Sequence, residues 1–142
     1  YQNANQNKGR AERPLSHYGG KRKMMNKTFA YVCAPTNHAT GFAFGKLKEY
    51  SKTLFDLGYV PICPCMMFSR FLSESVPEQR EARRSMSLEL LRRCRVLVVC
   101  SDELTEEMEA EILLAKRLGM VATTLTGIKK ISLHTASGGD EA

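Results

Sequence analysis

Residues 96–100 read VLVVC, and residues 101–121 continue SDELTEEMEAEILLAKRLGMV. A short, continuously apolar run flanked by charge is the pattern of a central strand buried on both faces. After a loop at Ser101 to Glu103, Thr105 can cap a helix whose first turn carries Glu106 and Glu107, the charge that suits a positive helix end. The helix should run to about Leu118, where Gly119 ends it, and residues 120–125 (MVATTL) return as a strand. A strand, a helix and a strand at this spacing form a crossover unit, and crossover units build parallel sheets.

The same alternation extends upstream. Residues 28–34 (TFAYVCA) read as a buried strand, followed by a turn over residues 35–41. Residues 42–57 carry helical spacing, with Phe44, Leu47, Tyr50, Leu54 and Phe55 on one side and Gly58 as the stop. Residues 59–63 (YVPIC) read as a short edge strand, because Pro61 removes a donor from the ladder. A loop is expected after Cys65-Met66-Met67-Phe68, then a polar helix starting near Ser75 with Met86, Leu90, Leu91 and Cys94 as its inward stripe. Residues 128–133 can add a fifth strand, and the chain from Thr135 reads as a frayed tail. No repeat is visible. The expected fold class is α/β: a three-layer sandwich with a mainly parallel sheet of four to five strands and helices on both faces. The expected division is a basic flexible arm at 1–27, one α/β domain at 28–134 and a flexible tail at 135–142.

Composition narrows the function classes. Of 142 residues, 43% are hydrophobic and 25% charged, which is the balance of a packed globular domain. The net charge of +6 lies wholly in the arm, where Lys8, Arg10, Arg13, Lys21, Arg22, Lys23 and Lys27 face Glu12 alone. The remainder is neutral, so nucleic acid is expected to be touched only weakly, through the arm. No apolar run is long enough for a membrane helix, and the arm has no apolar stretch of the kind a signal peptide needs. The five cysteines cannot all pair, and the set reads as reduced thiols of a cytoplasmic protein. One Cys-x-Cys at Cys63 and Cys65, without a second ligand pair, gives no metal site, and no cofactor fingerprint is present.

Parallel α/β sheets bind ligands beyond the C-terminal strand ends, which directs attention to loops 33–41, 65–72 and 101–105. In the first loop Thr36 and His38 can face an anion, or His38 can be a solvated loop residue. In the second, Phe68 can stack on a base and Arg70 clamp a phosphate, against the ordinary alternative of Phe68 in the core and Arg70 in solvent. Asp102 stands at the mouth of the third, as a ligand contact or as a turn-former. Glu111 is the most informative position. It falls within the apolar stripe set by Leu104, Met108, Ala115 and Leu118, where a carboxylate is costly unless paired or used. Glu107, one turn earlier, should raise its proton affinity. The alternative is an edge-of-stripe glutamate meeting Lys or Arg from elsewhere. The arginines at 80, 83, 84, 92, 93 and 95, interleaved with Glu78, Glu81 and Glu89, read as a solvated or interface face with ion pairs.

The succession YVCAP (31–35), LGYVPICPCMMFSRFL (57–72), MSLELLRRCRVLVVC (86–100) and SDELTEEMEAEILLAKRLGMV (101–121) resembles the short single-domain members of the nucleoside 2-deoxyribosyltransferase-like superfamily. The resemblance implies a flavodoxin-like (Rossmann-like) sheet and a cleft for a nucleoside or nucleotide. It further implies Glu111, in MEAEI, as the nucleophile at the anomeric carbon and Asp102 as the second acid. Ala34, Pro35, Thr36 and His38 would border the sugar and any phosphate, with Phe68, Arg70, Ser101 and Met108 completing the substrate contacts. A homodimer or larger homo-oligomer is implied as well. The chain carries Glu107 where relatives usually have Gly, and Cys65 where they commonly have His. Cleavage or transfer at an N-glycosidic bond is therefore the expected function. The alternatives are a catalytically lapsed nucleotide-binding module and a subunit of a larger bacterial or phage assembly tethered by the arm.

Overall fold

The computed structural model of the chain describes residues 28–36 and 41–132. Four strands, β1 (Phe29–Cys33), β2 (Val60–Ile62), β3 (Val96–Val99) and β4 (Val121–Thr124), form one sheet in the order β2-β1-β3-β4. Every pairing is parallel, with Tyr31 opposite both Ile62 and Leu97 and Val98 opposite Thr123. This is the order of a flavodoxin-like α/β sandwich, whose direction of winding reverses between β1 and β3.

Helices cover both faces. They are α1 (Gly41–Asp56), the short α2 (Pro64–Phe68), α3 (Pro77–Arg92), α4 (Glu106–Arg117) and α5, which spans residues 125–132. Alternation along β1 divides the core in two. Ala30, Val32 and Ala34 pack with Leu47 and Leu54 of α1 and Ile128 of α5. Tyr31 and Cys33 face the other way, against Leu91 of α3 and Met108 and Ala115 of α4. Among the described residues, no helix is long and apolar enough to cross a membrane.

Local signals set several boundaries. Gly58 and Gly119 adopt positive φ of 98° and 73°, which lets the chain leave α1 and α4 at once. Thr105 caps α4, its Oγ1 accepting from Met108 N at 3.2 Å. Thr105→Ala is expected to cost about 1 kcal/mol in denaturant unfolding, because that N–H loses its partner.

Several expectations change. Residues 125–132 are helical and bury Ile128, so no fifth strand forms through residue 132. The loop expected after Phe68 is preceded by α2, because Pro64 at the first helical position starts a turn that Phe68 and Cys65 anchor in the core. Helix α3 starts one residue late, with extended Val76 (φ −98°, ψ 113°) as the N-cap, the conformation a following proline imposes. Of its expected inward stripe, Leu91 and Cys94 are buried while Met86 and Leu90 are only half-buried; Arg83 and Ser87 join the inward line, and Arg83 is buried in ion pairs rather than solvated. The outer ends of two other stripes also stay in solvent, at Phe55, Leu104 and Leu118.

Candidate functional site

Strand β1 and helix α4 meet at Glu111. Because side chains two apart on a strand share a face, β1 presents Tyr31 and Cys33 side by side under α4. The Tyr31 hydroxyl donates to Glu111 Oε2 at 2.6 Å, and the Cys33 thiol points to Oε1 at 3.4 Å. Glu111 is only 5% exposed, held beside the reversal between β1 and β3. Its residence in the apolar stripe of α4 agrees with the spacing of Met108 and Ala115, both buried.

Burial pushes the Glu111 carboxyl from the ordinary 4.5 up to about 7. The Tyr31 hydrogen bond opposes the rise, the charge of Glu107 adds to it, and the Cys33 contact and the Arg83 charge oppose it. Tyr31 is driven well above the usual phenol range, first by burial and then by the neighbouring carboxylate, and so remains a donor. Cys33 is raised for the same two reasons and stays a thiol. A carboxyl near 7 can accept or release a proton at neutral pH, and with two fixed donors its anion is oriented for attack.

Glu111 faces a hollow of about 10 Å³ lined by Tyr31, Ala34, Thr36, Cys63, Cys65 and Ser87, and by Arg83 and Glu107. That is room for one water, not for a sugar. On the far side of Arg83 and Glu107 lies an open cleft of about 400 Å³, also lined by Glu74, Arg80, Arg84, Thr105 and Glu106. Arg83 and Glu107 thus form the wall between hollow and cleft. The guanidinium donates twice to Glu107, Nη1 to Oε2 and Nη2 to Oε1, each at 2.9 Å. Its Nε meets Glu74, which lies in the segment between α2 and α3.

The other expected residues are spread over the molecule. Ala34 and Thr36 border the Glu111 hollow, and Pro35 beside them is half-buried. His38 lies outside the described residues. Asp102 is exposed and, with Ser101, lines a different hollow of about 480 Å³ over the ends of β3 and β4, shared with Tyr50, Thr124 and Thr126. Tyr50 belongs to α1, and Glu111 is not among the residues that line this hollow. Ser101 Oγ accepts from Glu103 N at 3.1 Å and shapes the turn. Phe68 is buried edge-on against Phe71, ring centroids 6.1 Å apart. Arg70 is exposed beyond α2, and Met108 is 1% exposed within the core. Among the described residues, no three His, Cys, Asp or Glu side chains gather closely enough to hold a metal ion.

The sequence alone does not mark Tyr31, Cys33 and Arg83 as site residues. A hydroxyl and a thiol two apart in β1 were the available signal for the first two. For Arg83 it was the spacing to Ser87 and Leu91, four and eight residues on, which places the guanidinium on the inward line.

Comparison with known proteins gives three findings. A family model described as Domain of unknown function (DUF7768) matches residues 28–125. No curated protein matches the sequence. Among solved structures, a 2-deoxyribosyltransferase from the psychrotolerant bacterium Bacillus psychrosaccharolyticus is similar, with a TM-score of 0.57 and 15% identity over 68% of this chain and 71% of that one. A likeness at that identity establishes the shared fold.

Proposed function

Since the chain belongs to the DUF7768 family, whose description assigns no activity, we propose from its site that it releases or transfers the base of a nucleoside-type substrate. The observation that carries this reading is Glu111, buried beside the sheet's reversal and aimed by Tyr31 and Cys33. The fold shared with a 2-deoxyribosyltransferase supports the substrate class. In the proposed step a Glu111 oxygen bonds to the anomeric carbon as the N-glycosidic bond breaks. The base leaves with the bonding electron pair and takes up a proton from solvent water. Water or a second base then displaces the carboxylate from the sugar, as in a retaining glycosidase. Asp102 takes no part in this scheme, since it lines the other hollow.

The wall of Arg83 and Glu107 favours a second reading, in which a nucleotide-like ligand sits in the open cleft, walled off from Glu111, and is not cleaved. Mass spectrometry for free base, run with the full chain against a panel of nucleosides and nucleoside monophosphates, separates the two. Release from at least one member is expected. Ligand-dependent thermal stabilisation with no base released from any member would replace the enzyme reading with the binding one.

A further inference from the structure

The wall above Glu111 is an ion pair, and its composition says what can open it. Arg83 has 4% of its side chain exposed and Glu107 has 16%. A neutral molecule that pushed between them would leave the buried guanidinium without a counter-charge, which is costly. An anion with oxygens in the geometry of a carboxylate would satisfy the same fork, and a phosphate does so bidentately. Glu107 also has somewhere to go. Arg84, one residue along α3 and 42% exposed, already has its Nε 3.8 Å from Glu107 Oε1. Arg80 and Arg84 line the outer cleft, whose volume of about 400 Å³ falls in the range of small-molecule sites.

Resting on the base-release reading above, we propose that the substrate is anionic, a nucleoside monophosphate rather than a nucleoside. Its phosphate takes Glu107's place on Arg83, Glu107 moves outward onto Arg84, and the hollow over Glu111 joins the cleft. Arg83 is then a specificity-determining residue, and Glu107 is a competitor held on the protein itself.

The test uses the full chain and three probes: inorganic phosphate, a set of nucleosides, and their 5′-monophosphates, with binding read by calorimetry and release by mass spectrometry. Wild type should bind each monophosphate at least about 10-fold more tightly than its nucleoside. Glu107→Gln removes the competing charge and should tighten phosphate and monophosphate binding about 10-fold. Arg84→Ala, a surface change, should weaken phosphate binding several-fold, because displaced Glu107 loses its alternative partner. Equal binding of nucleosides and monophosphates, or phosphate affinity indifferent to Glu107→Gln, would overturn the proposal. Base release at equal rates from both substrate sets would overturn it too and keep the enzyme reading. The expected phosphate behaviour without release from any substrate would overturn the enzyme reading and keep the exchange on Arg83.

Discussion

Glu111→Gln should abolish base release, by at least about 10³-fold, and at the same time make the protein relatively more stable at alkaline pH. The two effects have one origin. The folded protein keeps the Glu111 proton up to about pH 7, whereas the ordinary carboxyl of an unfolded chain gives it up near 4.5. The stability contributed by the protonated form is fully present below 4.5 and lost as pH rises through 7. At about 1.4 kcal/mol per unit, the loss comes to roughly 3 kcal/mol. Glutamine does not titrate, so the difference in unfolding free energy between variant and wild type should shift by that amount, in the variant's favour, between pH 4 and pH 8. Denaturant titrations across the range provide the measurement. A constant difference would mean that the carboxyl does not titrate inside the fold, and undiminished turnover would remove it as nucleophile.

Arg83→Ala should have the largest effect on stability alone, a loss of about 3–5 kcal/mol. The substitution leaves Glu107, with 16% of its side chain exposed, facing Glu111 without the guanidinium that neutralises it. Glu74, 37% exposed, can turn to water and should add little. The double variant Arg83→Met with Glu107→Leu should recover most of the loss, since an apolar pair of similar volume avoids burying either charge. Midpoints and slopes from urea unfolding distinguish the cases. If Arg83→Ala loses less than about 1 kcal/mol, the ion pair does not hold the wall.

The elements that the sequence makes plain are those whose cause is local. The apolar runs of β1 and β3 need no partner to be recognised, and Thr105 followed by two glutamates marks the start of α4 by chemistry within one turn. Glu111 is legible for a related reason: its place in the stripe with Met108 and Ala115 is a matter of helical spacing. What escapes is non-local. Arg83 looks like one member of a surface arginine run until Glu74 and Glu107, 9 and 24 residues away, are brought to it. Asp102 directly follows the central-strand region, yet a strand end can turn toward either layer, and here its hollow lies with Tyr50 of α1. Helix α2, five residues long, is too short to show a period, and the β-branched Ile128 signals a strand while packing as part of a helix.

The strand order also governs when such a site can exist. β1 comes first in the described chain but sits inside the sheet, so its neighbour β3 is supplied only after residue 96 has been made. The hydrogen bond from Tyr31 to Glu111 closes a loop of 80 residues. During synthesis from the N-terminus, β1 therefore emerges with its apolar faces uncovered and waits for most of the domain to follow. The Tyr31–Glu111 contact is therefore one of the long-range contacts that a chain of this topology is slow to close.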